Sequence, residues 1–571
     1  MKKIPLTKNA LEVLKIRYLL KNERQKVIET PGQLFRRVAS NIASAEKKFK
    51  TGHSAFEAEE KFYRMMSDLE FMPNSPTLMN AGTSLGQLSA CFVLPVEDSM
   101  EGIFTSLKNM ARIHQTGGGT GFSFSRLRPK GDIVSSTKGQ ASGAISFMEI
   151  FDKATGVIVQ GGRRRGANMG ILRCDHPDIV EFVEAKRQQE KFSNFNLSVG
   201  ISDKFMEALR QGAYLDLINP RTHKKSGRVK ARELFSRITA TAWLCGDPGL
   251  VFLDEINRHN PTPLLGGIEA TNPCGELPLL PYESCNLASI NLAKMVTAGS
   301  FDWEKFADRI GWGIRFLDDV IEANKFPLPQ IRDITFANRK IGLGVMGFAD
   351  ALILLGISYN SAEAVEFSGR LMRFMRCHSL AASAGLAGER GVFPNFKRSI
   401  YAKKNFKLRN ATVNTIAPTG TISIIAGCSS GIEPLFAVSF VRSVLSGKKL
   451  FEVNAIFKAL VREKGTKNLP PGIKKVFATA FDVSAGEHLK IQAAFQGYTD
   501  NSVSKTINLP ENARPEDIKK IYLMAYKLKC KGITVYRYGS KANQVLSLAA
   551  NRAVVADSEY SGGCASGSCP F

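Results

Sequence analysis

Short apolar runs alternate with glycine-rich turns and helical stretches from about residue 72 to about residue 540. Residues 91–96, 171–172 and 251–253 are examples of these runs. Strand, loop and helix in alternation are typical of a mainly parallel sheet with crossover helices, either open or closed into a barrel. No linker interrupts the pattern, so one large α/β domain is predicted, although 571 residues would by length suit roughly three or four.

The two ends of the chain differ from this central region. Residues 1–70 are predicted to be helical, because Thr30 and Pro31 suit a helix start and apolar residues recur behind them at helical spacing. Residues 541–571 lose this periodicity and end in a Gly/Ser-rich stretch, which is typical of a mobile tail. The predicted organisation is therefore a helical region over 1–70, an α/β domain over 71–540 and a tail over 541–571.

The cysteine content and the apolar runs exclude several classes of protein. Ten cysteines in 571 residues are too few for a disulfide scaffold, and no cysteine or histidine quartet has zinc-site spacing. The first residues lack the apolar stretch of a secretory signal, and no run approaches the ~18 apolar residues of a membrane helix. We therefore expect a cytoplasmic protein whose cysteines are thiols in catalytic or packing roles.

The chain is strongly basic, with 77 Lys and Arg against 52 Asp and Glu and a net charge of +25. The electrostatic field of this positive charge attracts polyanions, either nucleic acid or phosphorylated small molecules. The alternative is that the charge only keeps the protein soluble. The basic blocks are not interleaved with aromatic residues in the way a strand-binding groove requires. Phosphorylated small molecules are therefore preferred over nucleic acid as ligands.

Five cysteines stand out by their position in the sequence. Cys274 lies between Asn272 and Glu276, so its thiol is bracketed by a hydrogen-bond donor and a proton acceptor, which suits a catalytic group. Cys285 follows eleven residues later, and Cys91 lies far upstream. The remaining two, Cys564 and Cys569, resemble a dithiol on a flexible tether that gives it a high effective concentration at a nearby site. An uninvolved terminus is the alternative for this last pair.

Three loops are candidates for binding a nucleotide. Residues 117–121 form a glycine cluster without a Walker lysine, which fits a tight turn as well as a binding loop. Residues 161–168 hold three consecutive arginines between glycines, which suits contact with nucleotide phosphate or base but also a solvated surface. Residues 417–423 place hydroxyl groups and a glycine at a helix start, where they form either a phosphate cradle or a plain N-cap.

Together and in this order, these motifs resemble the catalytic subunit of ribonucleotide reductases, most closely the adenosylcobalamin-dependent class. The resemblance covers roughly residues 30–545 and the tail. It implies a ten-stranded α/β barrel with a central finger loop, preceded by a small helical region. The segments that carry it are residues 71–82, 88–100, 161–168, 272–276, 282–287, 418–423 and 531–537.

The resemblance implies a role for each residue of the cysteine motif. Cys274, at the tip of the finger loop, would carry a thiyl radical that removes the 3′-hydrogen of the ribose. Glu276 would accept the proton of the 3′-hydroxyl, and Asn272 would hold the sugar by hydrogen bonding. Cys91 and Cys285 would face each other across the ribose and supply two electrons by closing a disulfide.

The resemblance also implies sets of residues for the other ligands. Cys564 and Cys569 would reduce the disulfide and be recharged by a thioredoxin- or glutaredoxin-like donor, and no residue is assigned to a metal. The expected ribonucleotide-binding residues are Ser75, Ala90, Gly119, Thr419, Gly420, Thr421, Ile422 and Ser423, with Ile422 acting through its backbone. The expected residues for a deoxynucleotide or ATP effector and for specificity are Asp98, Arg128, Arg164 and Arg165. Whether the protein is a monomer or a homodimer stays open.

The source of the radical distinguishes the classes of reductase. Arg537 separates Tyr536 from Tyr538, whereas the class that borrows its radical from another subunit has an adjacent tyrosine pair here. No glycyl-radical motif is present near the C-terminus, and no N-terminal ATP-cone is expected. We therefore expect an adenosylcobalamin-dependent reductase of ribonucleoside diphosphates, with triphosphates left open. The alternatives are a catalytic subunit that needs a separate radical-generating subunit, a non-catalytic nucleotide-binding relative and, last, a nucleic-acid-binding protein.

Overall fold

The computed structural model describes most of the chain. The described residues are 4–49, 53–134, 137–160, 164–188, 191–436, 439–443, 449–464, 475–480, 482–540, 547–548 and 554–557. The helices are α1 (Lys8–Val13), α2 (Pro31–Ala43), α3 (Ala55–Ser67), α4 (Ser75–Asn80), α5 (Met100–Gln115), α6 (Ala144–Val157), α7 (Ile179–Glu184), α8 (Asp203–Gln211), α9 (Ala231–Cys245), α10 (Leu253–Arg258), α11 (Trp303–Ala323), α12 (Pro329–Asn338), α13 (Phe348–Leu355), α14 (Ala362–Arg390), α15 (Gly420–Ala426), α16 (Ala455–Lys464), α17 (Ala485–Gln496) and α18 (Pro515–Lys527).

The strands are short, and ten of them belong to one large sheet. The strands are β1 (Phe71–Pro73), β2 (Cys91–Leu94), β3 (Gly119–Ser123), β4 (Val159–Gln160), β5 (Arg164–Arg165), β6 (Asn168–Arg173), β7 (Phe195–Ile201), β8 (Tyr214–Ile218), β9 (Lys225–Lys230), β10 (Gly249–Phe252), β11 (Ala270–Thr271), β12 (Pro278–Leu279), β13 (Ser284–Asn291), β14 (Val296–Thr297), β15 (Ser300–Phe301), β16 (Ile341–Met346), β17 (Ser439–Ser443), β18 (Lys449–Val453), β19 (Thr506–Leu509), β20 (Gly532–Arg537), β21 (Ser547–Leu548) and β22 (Val554–Asp557).

Ten strands form this main sheet, in the order β1-β13-β2-β3-β6-β7-β10-β20-β19 with β16 paired to β13. Strands β2, β3, β6, β7 and β10 make a continuous parallel run, and antiparallel pairings join it to β13 and to β20. Single bridges from Leu343 to Asn414 and from Ile416 to Val503 connect the β16 side of the sheet with the β19 side. The ten-stranded α/β barrel predicted from the sequence is therefore confirmed, with antiparallel pairs inserted into a mainly parallel arrangement.

The N-terminal region is helical, as predicted. Thr30 caps α2 in a capping box, because its side chain accepts from the Gln33 backbone N–H while the Gln33 side chain accepts from the Thr30 backbone N–H. The face of α2 that packs into the core consists of apolar side chains at helical spacing, namely Leu34, Phe35, Val38, Ala39 and Ile42. No helix in the described part of the chain is both long and apolar enough to cross a membrane.

A buried cluster of charges joins the N-terminal region to the barrel. Arg390 donates to Glu46, Asp318 and Asp319, and the side chains of all four residues are fully buried. Arg339 and Arg390 lower the pKa of Asp318 to about 2 against the opposing effect of burial. Burial raises the pKa of Asp319 well above its ordinary value, and Glu46 and Asp318 raise it further. Asp318 is therefore a carboxylate at neutral pH, whereas burial disfavours a negative charge on Asp319.

We expect Asp318→Asn to destabilise the fold far more than Asp319→Asn. The first change removes the negative charge that faces buried arginines, which costs about 3–5 kcal/mol of the free energy of unfolding. The second change removes a negative charge that burial already disfavours, so it should cost less. Because the pKa of Asp318 is lowered in the fold, its contribution is present above the unfolded-state pKa and disappears as the pH falls towards about 2. Urea denaturation at pH 7 compares the variants, and equal losses would contradict the assignment of charges.

Candidate active site

A hairpin of β11 and β12 carries the predicted finger loop. The Asn272 backbone N–H donates to the Leu277 carbonyl oxygen at 3.2 Å, and the Leu277 N–H donates to the Asn272 Oδ1 at 3.0 Å. Between them, Gly275 adopts a positive φ of 78° and its N–H donates to the Asn272 carbonyl oxygen at 3.0 Å. This tight turn requires a glycine and places Cys274 at the tip of the loop.

The glycine cluster of residues 117–121 supports the finger loop. A Cβ atom at Gly121 would lie 1.7 Å from the Thr271 carbonyl oxygen, and one at Gly119 would lie 3.0 Å from Pro273 Cγ. The loop therefore rests directly on the backbone of β3, and the Asn196 side chain on β7 donates to the Pro273 carbonyl oxygen at 2.7 Å. The sequence left open whether this cluster forms a tight turn or a binding loop. The structure adds a third role, because the glycines allow the finger loop to approach the backbone of β3 closely.

Cys91 and Cys285 lie directly opposite each other on the antiparallel strands β2 and β13. Opposite residues in such a pair have Cα atoms about 4.5–5.5 Å apart, which is within the range that a disulfide bridges. Both residues are buried, and both are thiols in this structure. The strand register thus places two thiols at a separation compatible with a disulfide that needs no change of fold.

Asn272 and Glu276 both contact Cys91. The Asn272 Nδ2 donates to the Cys91 sulfur at 3.0 Å, and the Cys91 thiol donates to Glu276 Oε1 at 3.9 Å. Burial raises the pKa of Glu276 to about 7, although the hydrogen bonds from Asn272 and Cys91 lower it. Its other oxygen, Oε2, is buried and has no hydrogen-bond partner among the described residues. Glu276 therefore offers an acceptor to a ligand hydroxyl at a pKa suited to a general base.

Burial also keeps the two opposed thiols protonated. It raises the pKa of Cys91 well above the ordinary value, and the charge of Glu276 adds to this effect. Burial raises the pKa of Cys285 in the same way, although the nearby Lys340 lowers it. The site thus holds S–H groups rather than thiolates at neutral pH, which suits transfer of hydrogen atoms more than nucleophilic attack.

A cavity opens on the other side of the finger loop. Pro273, Cys274 and Gly275 line it together with residues of β7, β10, α17 and β20, whereas Cys91, Cys285 and Glu276 do not. The Gln492 side chain lines this cavity, with its Nε2 donating to the Gly532 carbonyl oxygen and its Oε1 buried without a partner in the described residues. Cys274 therefore separates a cavity from the pair of thiols.

The predicted phosphate cradle lies at the start of α15. Thr419 precedes this helix with a positive φ of 57°, and its side chain accepts from the Gly431 N–H at 2.7 Å. The Ser423 hydroxyl donates to the Gly420 carbonyl oxygen at 3.1 Å. Ile422 packs in the core, so only its backbone is available to a ligand.

Two residues that the sequence did not single out contact this cradle. The Tyr18 hydroxyl lies 2.7 Å from the Ser75 Oγ, and the Arg17 Nη1 donates to the Thr421 Oγ1 at 3.3 Å. Neither residue belongs to a recognisable motif. The π-helical turn Leu14–Tyr18, a type of helix often found at functional sites, is visible only in the structure.

The structure describes some of the remaining predicted site residues, and others lie outside the described part of the chain. The Gly119 N–H donates to the Ala90 carbonyl oxygen at 2.9 Å, so these two lie side by side next to the finger loop. Arg128 pairs with Asp98, with its Nε 2.9 Å from Oδ2. The side chains of Arg164 and Arg165 and the whole of Cys564 and Cys569 lie outside the described residues. Among the described residues, no cluster of His, Cys, Asp and Glu could hold a metal ion.

Comparison with known proteins identifies the family to which the chain belongs. Residues 89–408 and 404–536 match the family model described as the ribonucleotide reductase barrel domain, and residues 5–86 match the ribonucleotide reductase all-alpha domain. Together the matches span most of the chain. The chain therefore belongs to the ribonucleotide reductase family.

Curated relatives resemble the chain over nearly its full length. A vitamin B12-dependent ribonucleoside-diphosphate reductase of Thermoplasma acidophilum is 52% identical, covering 95% of this chain and 80% of the relative. A protein of the same name from Mycobacterium tuberculosis (strain H37Rv) is 49% identical, covering 100% of this chain and 83% of the relative. A ribonucleoside-diphosphate reductase subunit alpha of Chlamydia trachomatis is 27% identical, covering 91% of this chain and 57% of the relative. The similarity is thus higher to the two vitamin B12-dependent enzymes.

Proposed function

We propose that this protein is an adenosylcobalamin-dependent reductase of ribonucleoside diphosphates. The observation that carries the proposal is the buried cluster in which Asn272 and Glu276 contact Cys91, directly opposite Cys285 and beside Cys274. The names of relatives at 52% and 49% identity support the cofactor and the diphosphate substrate. The alternative of a non-catalytic relative would have no use for this arrangement.

In this mechanism the Cys274 thiyl radical takes the 3′-hydrogen of the ribose and becomes a thiol. Glu276 Oε2 accepts the proton of the 3′-hydroxyl, and the 2′-hydroxyl leaves as water with a proton from the Cys91–Cys285 pair. The two thiols give two electrons and two protons in all and become a disulfide, with one proton leaving in the water and the other ending as the new hydrogen on C2′. Glu276 returns its proton to the 3′-oxygen, and Cys274 returns a hydrogen atom to C3′ and is again a thiyl radical. The balance is one ribonucleotide and two thiols converted into one deoxyribonucleotide, one disulfide and one water.

The other ligand sites are proposals that follow from the same assignment. The Ser75 and Thr419–Ser423 segments bind the diphosphate, and Ala90 and Gly119 contact the substrate beside the finger loop. Asp98, Arg128, Arg164 and Arg165 serve a deoxynucleotide or ATP effector, and the protein acts in the cytoplasm with a thioredoxin- or glutaredoxin-like reductant. The same assignment includes the division of the chain into a helical region (1–70), a catalytic α/β domain (71–540) and a tail (541–571).

The cavity beside Cys274 has features that fit adenosylcobalamin. The buried, unpaired Gln492 Oε1 is an acceptor for an N–H or O–H group of a ligand, and Asn196, Ser198 and Thr534 add polar side chains to the lining. When bound there, the cofactor supplies the radical that removes the hydrogen atom from the Cys274 sulfur. The protein residues would hold Cys274 between the cavity and the substrate, and burial keeps water away from Cys91, Cys285 and Glu276.

One assay tests the proposed function directly. We expect purified protein to convert CDP into dCDP with dithiothreitol and adenosylcobalamin as the only radical source. Omitting adenosylcobalamin serves as the control and abolishes product. Activity that requires a second metal-containing subunit instead, or no product with any ribonucleotide, would contradict the proposal.

Gly121→Ala is expected to lower kcat at least about a hundredfold. The new Cβ would lie 1.7 Å from the Thr271 carbonyl oxygen, so the finger loop has to move, and misplacement of reacting groups by about 1 Å costs rates of this order. Gly486→Ala is the matched control, because a Cβ at Gly486 meets nothing within 4 Å. Steady-state kinetics compare the two variants, and near-normal turnover of Gly121→Ala would show that the loop does not depend on this contact.

The double variant Cys564→Ser with Cys569→Ser tests the tail. We expect it to lose turnover with thioredoxin as the reductant but to keep turnover with dithiothreitol, since a small dithiol reaches the buried disulfide without the tether. Deoxynucleotide formation with each reductant is the measurement. An equal loss with both reductants would refute a shuttle role for the two cysteines.

A further inference from the structure

The π-helical turn Leu14–Tyr18 connects the two arms of the phosphate cradle. Its last residue, Tyr18, lies 2.7 Å from the hydroxyl of Ser75 at the start of α4. The preceding residue, Arg17, donates to the hydroxyl of Thr421 in the first turn of α15 at 3.3 Å. Two neighbouring side chains from one turn thus reach hydroxyls that lie far apart in the sequence.

The position of this turn is fixed by burial. Leu14 and Tyr18 are 0% and 1% exposed and belong to a large apolar cluster that also contains side chains of α2, β13, β16 and α14. Helix α1, which leads into the turn, begins at Lys8 after the N-cap Thr7, whose side chain accepts from the Ala10 N–H at 3.0 Å. The turn is therefore anchored by the core, so its two polar contacts are made from a rigid base.

The contact from Arg17 has a consequence for the Thr421 hydroxyl. A hydroxyl group has one proton to donate, and an oxygen that already accepts an N–H is left with that proton for another acceptor. Arg17 also brings a permanent positive charge to a cradle whose own side chains, Ser75, Thr419, Thr421 and Ser423, are all neutral. Both effects favour an anion such as a diphosphate.

An independent observation points to an acceptor ligand beside Ser75. Asn74 is 7% exposed, and its Oδ1 accepts from the Thr77 N–H at 2.9 Å as the cap of α4. Its Nδ2 is buried and has no hydrogen-bond partner among the described residues. Buried donors in native proteins are nearly always paired, so this amide is suited to a ligand oxygen that the chain itself does not supply.

We propose that Arg17 and Tyr18 are positioning residues for the diphosphate of the substrate, acting through Thr421 and Ser75. This inference rests on the proposed function, because it takes the cradle to be the substrate-phosphate site. Arg17 orients the Thr421 hydroxyl and supplies charge to that arm, and Tyr18 orients the Ser75 hydroxyl. The N-terminal region then contributes to substrate affinity and not only to the fold.

The test compares Arg17→Gln, Arg17→Lys and Tyr18→Phe with the unchanged full-length protein. Calorimetry gives the Kd for CDP and for cytidine, which lacks both phosphates, and kinetics give KM and kcat. We expect Arg17→Gln to raise the Kd and KM for CDP about tenfold, the usual loss for a hydrogen bond to a charged group. Cytidine affinity and kcat stay the same, Arg17→Lys recovers part of the loss, and Tyr18→Phe gives a smaller loss of the same kind.

The exposed Arg24, in the same N-terminal region, provides the matched control, and Arg24→Gln should bind CDP normally. A Kd for CDP within twofold of normal in Arg17→Gln, or an equal loss of affinity for cytidine, would overturn the inference. A lower kcat with an unchanged KM would do so as well. If instead the unchanged protein binds CDP but reduces no nucleotide, the proposed function fails while the binding comparison still decides this inference.

Discussion

Cys274→Ser is expected to abolish deoxynucleotide formation completely. The hydroxyl of serine holds its hydrogen much more tightly than a thiol does, so it cannot exchange a hydrogen atom with the ribose. Binding of the nucleotide should stay intact, because Asn272, Glu276 and the cradle at α15 are unchanged. The measurement is product formation from CDP by chromatography, with the Kd for CDP determined by calorimetry on the same preparation.

Cys377→Ser is the matched control for this experiment. Cys377 is an exposed thiol on α14, so its replacement by serine should leave turnover unchanged. Substantial deoxynucleotide formation by Cys274→Ser would contradict the assignment of the radical to this residue. Loss of CDP binding in that variant would show instead that the thiol shapes the site.

Glu276→Gln is expected to lower kcat about a thousandfold, within the range that a general base contributes. The amide cannot accept the proton of the 3′-hydroxyl, although it fills the same space. With the pKa of Glu276 at about 7, kcat of the unchanged enzyme should rise as the pH increases through 7, because only the carboxylate acts as the base. The variant should lack this rise, and a kcat profile from pH 5.5 to 8.5 tests both points.

The same residue predicts a pH-dependent effect on stability. Because burial raises the pKa of Glu276 in the fold, the folded protein holds this proton more tightly than the unfolded chain. Its contribution to stability is therefore present at low pH and is lost as the pH rises through about 7. Glu276→Gln should unfold at a higher urea concentration than the unchanged protein above pH 7, whereas Glu366→Gln, an exposed carboxylate on α14, should not. Equal midpoints for Glu276→Gln and the unchanged protein at pH 8 would contradict the raised pKa.

Much of the fold could be predicted from the sequence because its signals are local. The capping box of Thr30 and Gln33 and the apolar face behind it define α2 within thirteen residues. The alternation of apolar runs and helices predicts a mainly parallel sheet with crossover helices, and the resemblance to ribonucleotide reductases implies that it closes into a barrel. The antiparallel pairings of β13 with β2 and of β20 with β10 had no such local signal, since they depend on which distant strands become neighbours.

The site residues also divide into those that a local sequence pattern predicts and those that only the structure reveals. Residues 272–276 are recognisable because the amide, thiol and carboxylate lie within five positions of one another. Arg17 and Tyr18 could not be predicted as site residues, because neither belongs to a sequence motif. The glycine cluster was visible, but its role was not, since the finger loop that lies on Gly121 comes from a part of the chain 150 residues later.

The sequence by itself determined the chemistry available to this protein: a thiol between an amide and a carboxylate, further cysteines, and hydroxyls at a helix start. Only the tertiary structure decided how these groups act together. The strand register sets Cys91 opposite Cys285, and the hairpin of the finger loop brings Glu276 and Asn272 onto Cys91. Burial then raises the pKa of Glu276 to about 7 and keeps the thiols protonated. The physical reason is that proximity and exclusion of water arise from long-range packing, which no short stretch of sequence encodes.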